Sequence, residues 1–504
     1  MSKVATYLSL GVIHLNREND PLPLHRQLYE SLRSGILSGR LRTGTRLPPT
    51  RALALELGVS RNTVSKAYTQ LLTEGYLESR VGSGTHVTRT LPEAMLQVGK
   101  ARTSEEEISA ENPPTPPRLS KRATALTELP FAREQARPQA FDSALPAVDM
   151  FPRKIWERLL INCWRDMSLN EMGYQSALGY QPLREALATY LQAARGVRCS
   201  AENIIITTGA QQAVSLATNL LLDPGDAAWV EDPSYPGIHS ALVGALAEMV
   251  PISIDEEGLD VAEGIRKAPH ARLAYISPSH QYPLGVKMSL TRRLQLLQWA
   301  RENRMWIIED DYDSEFRYSG APLESVQGLD EAGRVIYIGT FSKVIYPALR
   351  IGYMVVPSRL IDPFHAARAH AVRAAPLLEQ AVVAQFIKEG HFARHIRRMR
   401  TLYAERQTIL VEMIQKFIKE TFLKVEASEA GLHLVGWLPE GVDDQLVATK
   451  LQEHGLIAPA LSSFALMPLD AGGLVLGFAA VPNNEIPMAV KRMWGVLEAT
   501  IRPK

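Results

Sequence analysis

Residues 91–140 constrain most strongly how this chain can fold. The stretch holds four prolines between positions 113 and 117, an acidic run at 105–107, and little periodic apolar pattern. Such a segment cannot bury enough apolar surface to offset the entropy lost on ordering. We therefore expect a linker at 91–140, with one domain at 21–90 and another at 141–504. A surface loop within one large domain is the alternative, although structureless loops of that length are uncommon.

Composition places the chain among ordinary globular proteins. It has 504 residues, a net charge of +1 and 46% hydrophobic residues. The two cysteines, Cys163 and Cys199, form no CxxC pattern, so we expect neither a disulfide framework nor a metal site. No apolar run is long enough to span a membrane, and no cleavage site follows the first apolar residues. We expect a cytoplasmic protein without membrane partners.

The charge is unevenly distributed along the chain. Residues 21–90 contain ten arginines or lysines against four glutamates, although the whole chain is almost neutral. A basic module is thus attached to a mildly acidic body.

The basic module contains three helical patterns. The first repeats apolar residues at helical spacing from Leu24 to Ile36, and the second begins near Thr50 and ends at Gly58. In the third, Ser60 is a plausible N-cap before an apolar face. Two short helices joined by a tight turn indicate a helix-turn-helix, whose second helix enters the major groove by its N-terminal residues. Alternation around a glycine turn in "YLESRVGSGTHV" predicts a β-hairpin wing.

The segment "LPPTRALALELGVSRNTVSKAYTQLLTEGYLESRVGSGTHV" resembles the GntR-type winged helix-turn-helix. A charged, solvated helical bundle is the alternative. The resemblance implies that the module binds a double-stranded DNA operator. Pro49 stands where the family has serine, and Thr50 is a candidate to replace the lost cap. The expected DNA-binding residues are Arg51 and Arg61 at phosphates or base edges, Asn62, Thr63 and Lys66 at the recognition-helix start, and the wing tip from Gly82 to His86.

From residue 141 onward, strand-like apolar runs alternate with helical stretches. Runs such as "RLAYISPS", "MWIIEDDYDS" and "RVIYIGTFSK" each end in small or polar residues. This pattern predicts an α/β fold with a parallel sheet, in which ligands bind at the carboxyl ends of the strands.

Several of these strand ends suit an anionic ligand. After "NIIITTG" a helix opens at Ala210 and Gln211, whose free backbone N–H groups can bind a phosphate. The stretch "GTFSKVIYPALR" adds the hydroxyls of Thr340 and Ser342 and the guanidinium of Arg350.

Other strand ends suit a flat ring with a basic nitrogen. Strand alternation in "MWIIEDDYD" puts Asp310 and Tyr312 on one face, where they can pair with a ring nitrogen and a ring hydroxyl. Tyr235 in "EDPSYPG" can stack on the ring. Lys343 has no acid within five residues in the sequence, and a desolvated lysine has a lowered pKa and forms Schiff bases.

In this order and spacing, the residues resemble those of fold-type I, class I aminotransferases, which bind pyridoxal 5′-phosphate (PLP). The resemblance covers about 141–504. It implies a Schiff base between Lys343 and PLP. It also implies a homodimer in which Tyr174 reaches the cofactor phosphate of the neighbouring subunit. In "SPSHQYPLG", Tyr282 occupies the position of the family's cofactor-binding asparagine, so His280 or Gln281 would have to supply that hydrogen bond.

A second departure concerns the substrate. The arginine that binds a substrate α-carboxylate is replaced by Val475 in "GLVLGFA". Valine cannot bind a carboxylate, and the loss of a charge-assisted pair is worth about 2 kcal/mol or more.

A GntR-type module joined to an aminotransferase-like domain resembles the MocR subfamily of bacterial transcription regulators. We expect a PLP-dependent regulator, without physiological turnover, that forms a head-to-tail, domain-swapped homodimer. Its effector would be PLP itself or an amine that forms an adduct with PLP. Two alternatives remain open: an active class I aminotransferase with a tethered DNA-binding module, and a DNA-binding protein whose large domain serves only for dimerisation.

Overall fold

A computed structural model describes residues 13, 15, 22–80, 83–88, 118–129, 138–320 and 324–501. The chain divides into two compact units, Met1–Pro116 and Pro117–Lys504, called here the first and second unit. Gly82 and most of the predicted linker at 91–140 lie outside the described residues.

The first unit is a helix-turn-helix followed by a hairpin. Gly58 ends α2 in a left-handed conformation with φ of 63°, which glycine adopts without steric cost. The hairpin is antiparallel and pairs Leu77 with Val87, as predicted for a wing. Its elements are α1 (Leu24–Leu37), α2 (Thr50–Leu57), α3 (Arg61–Thr73), β1 (Leu77–Arg80) and β2 (Gly84–Val87).

Side-chain capping differs between the two helices of the helix-turn-helix. Ser60 caps α3, because its Oγ accepts the backbone N–H of Thr63 at 3.1 Å. The suggestion that Thr50 caps α2 is wrong: Thr50 is the first helical residue, and the N-cap is Pro49, which offers no side-chain acceptor.

The core of the first unit forms where the apolar helix faces meet. Val64, Ala67 and Leu71 of α3 are fully buried with Leu28 and Leu32 of α1. This burial leaves the opposite, polar face of α3 to solvent.

The second unit is built on a mixed eight-stranded sheet. Its strands are β3 (Ile204–Thr207), β4 (Ala227–Asp232), β5 (Glu248–Asp255), β6 (Gly258–Leu259), β7 (Leu273–Ile276), β8 (Trp306–Asp311), β9 (Val335–Thr340) and β10 (Gly352–Val355). They lie in the order β3-β10-β9-β8-β7-β4-β5-β6. Strands β3, β7, β9 and β10 are buried along their whole length, which is typical of a sheet covered on both faces.

The prediction of a purely parallel sheet is wrong in one important place. β10 runs antiparallel to both of its neighbours, β3 and β9. The connection between Thr340 and Gly352 is too short for the crossover that a parallel pair needs, so the chain turns back directly. The short edge strand β6 is also antiparallel to β5.

Helices pack around this sheet, and a second, three-stranded antiparallel sheet lies nearer the C-terminus. The helices are α4 (Lys121–Glu128), α5 (Arg153–Asp166), α6 (Gln181–Arg195), α7 (Ala210–Leu221), α8 (Pro236–Ala245), α9 (Val261–Lys267), α10 (Leu290–Asn303), α11 (Val326–Leu329), α12 (Ile361–Ala371), α13 (Leu377–Lys388), α14 (His391–Phe417), α15 (Asp444–Glu453) and α16 (Ile486–Thr500). The smaller sheet contains β11 (Lys424–Val425), β12 (His433–Trp437) and β13 (Gly473–Gly477).

Helix α4 lies within the segment predicted as a linker. Ser120 caps it by accepting the N–H of Ala123 at 3.1 Å, and Arg122 donates to the carbonyl of Gly244 at 3.4 Å. Part of 91–140 is therefore ordered against the second unit. Of the helices that the structure describes, none has the length and apolar character needed to cross a membrane.

We expect Ser60→Ala to lower the free energy of local opening of α3 by about 1 kcal/mol, because the Thr63 N–H loses its side-chain acceptor. Amide hydrogen exchange of residues 61–73 in the full-length protein measures this. Ser34→Ala on the exposed side of α1 is the matched control, with an expected change within about 0.5 kcal/mol. Equal effects of the two substitutions would contradict the capping role.

Candidate functional site

The carboxyl ends of β3 and β9 meet the start of β10, the antiparallel strand between them, at one end of the large sheet. In the register, Gly352 at the start of β10 lies opposite both Thr340, the last residue of β9, and Thr207, the last residue of β3. A Cβ on Gly352 would lie 2.7 Å from the Cα of Gly209, so the backbones approach closely here. The predicted phosphate-binding segments are thus neighbours in space.

The start of α7 forms an anion cradle. Gly209 precedes the helix with φ of 124°, and the backbone N–H groups of Ala210 and Gln211 are free of intrahelical acceptors. A Cβ placed on Gly209 would lie 3.2 Å from a guanidinium nitrogen of Arg350. No carboxylate among the described residues pairs with Arg350. A free guanidinium at a helix N-terminus suits a phosphate.

Two hydroxyl residues close the other side of the cradle. Thr340 is 9% exposed, and its Oγ1 accepts the backbone N–H of Ser342 at 3.2 Å. Ser342 is partly buried in the turn that follows β9. Thr340 thus lies opposite Gly352, and Ser342 is hydrogen-bonded to Thr340.

Tyr235 stands at the N-cap of α8, where its hydroxyl donates to Gln211 Oε1 at 3.3 Å. The amide of Gln211 donates in turn to Gly237 O at 2.9 Å. This chain of hydrogen bonds fixes the Tyr235 ring next to the start of α7. Its ring lies edge-on to that of Tyr282, with a centroid distance of 6.3 Å.

Asp310 is a buried carboxylate with one oxygen unpaired. Its Oδ2 accepts the hydroxyl of Tyr275 at 2.5 Å, whereas its Oδ1 is buried without a partner. Burial raises the pKa of Asp310 from its ordinary value of 3.8 to about 7; Tyr275 opposes this rise and Asp311 adds to it. A buried acceptor without a donor is costly, so the site is built for a donor that binds there.

Tyr312 is oriented by a histidine and an acid. His280 Nδ1 lies 2.9 Å from the Tyr312 hydroxyl and 3.0 Å from Asp313 Oδ2. A proton on Nδ1 serves both oxygens and leaves the Tyr312 O–H free to donate to a ligand.

Lys343 is held by backbone carbonyls. Its Nζ donates to Ala144 O at 2.8 Å and to Ser143 O at 3.2 Å. Burial lowers the pKa of the Lys343 amine below its ordinary value, while Asp142, Asp313 and Asp310 act in the opposite direction. The acids that are missing around Lys343 in the sequence are thus supplied by the fold.

Two predicted residues lie away from this cluster. The structure does not bring Gln281 to the site, because its amide donates to Pro233 O at 2.8 Å and its carbonyl accepts Leu284 N–H. Tyr174 is 87% exposed, with the guanidinium of Arg373 4.7 Å above its ring.

The residues present fit PLP. The unpaired Asp310 oxygen suits a protonated ring nitrogen, the cradle at Gly209 and Arg350 suits a phosphate, and Lys343 presents an amine with a lowered pKa. When bound, PLP supplies an aldehyde that condenses with amines and a ring that withdraws electrons.

Sequence reasoning missed the partners of these groups. Tyr275, a tyrosine in a fully buried strand, had to hydrogen-bond somewhere, and this was the available signal. The segment from Asp142 to Ala144 carries no motif, because it meets Lys343 through backbone carbonyls.

The helix-turn-helix presents a basic surface. Arg51, Arg61, Asn62 and Lys66 are exposed, and Thr63 is half-buried at the first turn of α3. The α3 sequence contains no acid that would repel a phosphate backbone.

The predicted wing tip is only partly supported. His86 is 8% exposed, and its ring nitrogens lie 3.2 Å from Ser83 Oγ and from Gly84 O, so the structure does not present it to a ligand. Arg46, which was not among the predicted DNA-binding residues, is exposed beside the wing. Its guanidinium would lie 3.1 Å from a Cβ placed on Gly84. Alternation alone could not place His86, because Arg46 pairs with it in an isolated bridge.

Two protein-family models match the chain. Residues 24–87 match "Bacterial regulatory proteins, gntR family", and residues 160–493 match "Aminotransferase class I and II". These matches confirm the winged helix-turn-helix, the fold-type I domain and PLP as its cofactor.

Relatives share both parts. A probable rhizopine catabolism regulatory protein, MocR, from Rhizobium meliloti is 41% identical over 93% of this chain and 92% of its own length. The pyridoxine biosynthesis transcriptional regulator PdxR of Corynebacterium glutamicum is 31% identical over 92% of this chain and 93% of its own. Among solved structures, kynurenine aminotransferase of Pyrococcus horikoshii is similar, with a TM-score of 0.67 and 27% identity, covering 81% of this chain and 100% of that one.

We expect Asp310→Asn to stabilise the cofactor-free protein above pH 7. Since the folded-state pKa of Asp310 is raised from 3.8 to about 7, its contribution to stability is full below about pH 4 and is lost as the pH rises to about 7. Asparagine removes the buried charge. At pH 8 the unfolding temperature of the variant should therefore exceed that of the unchanged protein, and at pH 5 the difference should be smaller. With PLP present the order should reverse.

Thermal unfolding at both pH values, with and without PLP, measures this. Asp311→Asn is the matched control, because Asp311 pairs with Arg195 at 2.8 Å and its loss should destabilise the protein at both pH values. The explanation fails if Asp310→Asn behaves like this control.

Proposed function

Because this chain belongs to the MocR subfamily of GntR-type transcription regulators, we propose that it binds an operator through α3 and senses PLP or a PLP–amine adduct through its aminotransferase-like domain. One observation carries the sensing part of the proposal. Residues that would hold PLP are present, yet Val475 stands at the position expected of a carboxylate-binding arginine and is fully buried.

The DNA-binding part rests on exposure and charge. Arg61 and Lys66 project from the exposed side of α3, whereas its apolar residues fill the core. Arg51 lies in the first turn of the preceding helix, so its charge adds to the same module. Such groups bind phosphates and base edges in the major groove.

In the second unit, each site residue has one task. Lys343 holds the cofactor covalently, Asp310 keeps its ring nitrogen protonated, and Tyr235 covers one face of the ring. Tyr312 donates to the ring hydroxyl, and Arg350 neutralises the phosphate together with the cradle at the start of α7. These assignments are supported by the side-by-side pairing of β8 and β9 and by the electrostatic effect of Asp310 on both Lys343 and Tyr235.

A homodimer completes this proposal. Aminotransferase-like relatives are typically dimers. Tyr174 is 87% exposed, and the guanidinium of Arg373 stacks on its ring. Aromatic and arginine side chains are enriched in protein–protein interfaces, so this exposed pair suits an interface. We assign it to the phosphate of the partner's cofactor, in a head-to-tail, domain-swapped dimer.

Regulation then requires that the ligand binds two arrangements of the dimer with different affinity. The names of the relatives point to two kinds of effector: one relative is a regulator of pyridoxine biosynthesis and another of rhizopine catabolism. The effector of this chain is accordingly PLP itself or an amine.

An active class I aminotransferase is the second candidate, since Lys343, Asp310 and Arg350 would hold PLP in an enzyme as well. Val475 disfavours it, because a substrate α-carboxylate would lack its counter-charge. Sustained conversion of an amino acid and keto-acid pair would favour this alternative.

We expect Lys343→Ala to abolish the covalent link to PLP. The unchanged protein, mixed with PLP and reduced with borohydride, should gain the mass of one reduced cofactor on the peptide that contains residue 343. Lys287→Ala is the matched control: this lysine pairs with Glu429 at 3.6 Å, and its loss should leave trapping unchanged. Trapping at another lysine would refute the assignment.

We expect Lys66→Ala to weaken binding to duplex DNA and to reduce the slope of log affinity against log salt by about one, the value for one phosphate contact. Fluorescence anisotropy over a salt series measures the slope. Arg26→Ala in α1 removes an equal charge that already faces Glu30 at 4.0 Å, and should leave the slope unchanged. Equal slopes for Lys66→Ala and the unchanged protein would place α3 away from the DNA backbone.

A further inference from the structure

The wall of side chains around Val475 is apolar, where the resemblance to aminotransferases places a carboxylate-binding arginine. Val475 is fully buried in an apolar cluster with Leu461 and Phe464, against which Tyr282 and Leu284 pack. A carboxylate placed against this wall would lose its hydration without gaining a charged partner.

An acid lies beside the same strand. Gly477 is two residues beyond Val475 on β13 and therefore faces the same side. Its N–H donates to Phe141 O at 2.8 Å, and a Cβ on Gly477 would lie 2.3 Å from the carbonyl oxygen of Asp142. The strand that would carry the arginine thus packs against the backbone of Asp142.

The carboxylate of Asp142 has capacity left for a ligand. Asp142 is 3% exposed, and its Oδ1 accepts the Ala144 N–H at 2.8 Å. Within the described ranges, the backbone N–H of Ala144 is the donor to this carboxylate, and no side chain donates to it. The next two residues, Ser143 and Ala144, supply the carbonyls that hold Lys343, so the carboxylate lies near the reactive amine.

Cations that could offset this acid are engaged elsewhere. Arg317 pairs with Glu429 at 2.8 Å, Arg195 with Asp311 at 2.8 Å, and Arg350 stands at the phosphate cradle. Lys343 is the cation that acts on Asp142 in the part of the chain that the structure describes. A ligand carboxylate near Lys343 would therefore meet a like charge.

We propose that the effector recognised at this site is a primary amine without a carboxylate, and that Asp142 accepts a hydrogen bond from its second polar group, a hydroxyl or an ammonium. This inference rests on the proposed function, because it takes Lys343 and PLP as the place where the amine binds. Val475 and its neighbours select against acids by offering them no counter-charge, while Asp142 selects for donors.

Matched pairs of ligands test the proposal on the PLP-loaded, full-length protein. The pairs are 1,4-diaminobutane with 4-aminobutanoate, and 2-aminopropan-1-ol with alanine. Each is titrated while the visible absorbance of the bound cofactor is recorded. In each pair, we expect the member without a carboxylate to half-saturate the change at a concentration at least about tenfold lower.

Substitutions at Asp142 and Val475 test which of the two residues causes this preference. Asp142→Asn should reduce the concentration ratio towards one, and Val475→Arg should invert it; Val475→Met adds length without charge and should not invert it. Each ratio is taken within one variant, so a change in cofactor affinity cancels.

Three results would overturn the inference: an acid that binds as tightly as its matched amine, an unchanged ratio in Asp142→Asn, or a spectrum that no member of either pair alters. If PLP is not trapped on Lys343 in the unchanged protein, the proposed function fails instead. The trapping experiment therefore separates the two failures.

Discussion

The second unit depends on how three consecutive acids are accommodated on its central strand. Glu309 accepts the backbone N–H groups of Val326 and Gln327, and Asp311 pairs with Arg195, so both outer acids are satisfied within the protein. Asp310, between them, faces the other side of the sheet and keeps one oxygen without a donor. Stability alone would favour an apolar residue there. The buried charge is explained by a ligand that brings its own proton, and the cradle, Lys343 and Tyr312 lie around that position.

A feature of the fold or the site could be predicted from the sequence where it follows from a local pattern, and could not where it depends on contacts between distant segments. Period-two alternation was enough to separate Asp310 from Glu309 and Asp311, and a helix start after a strand was enough to find Ala210. Alternation could not give the direction of β10, which depends on the length of its connection. It also could not foresee that Gln281 would use its amide on the carbonyl of Pro233. Such contacts bring together distant segments and follow no local pattern.

In the first unit, too, features set by the local sequence were predictable, whereas contacts between distant residues were not. Its helices were predictable because capping and apolar spacing are local, as Ser60 and the buried face of α3 demonstrate. The side chains of the wing were not, because His86 turns inward in response to Ser83, Gly84 and the bridge to Arg46. The recognition helix is therefore the better supported part of the proposed DNA interface.

Under the proposed function, the absence of one anchoring charge at position 475 would separate sensing from catalysis. An enzyme needs binding energy that grows towards the transition state, and a fixed arginine on the substrate carboxylate supplies orientation for that purpose. A regulator needs only a difference in affinity between two arrangements of the protein. With Val475 at the anchor position, an amino acid would lack the charge that orients it, whereas Lys343 and Asp310 would still hold the cofactor. A site of this kind can register that a ligand is bound without being organised to turn it over, and this is the property that a transcription regulator requires.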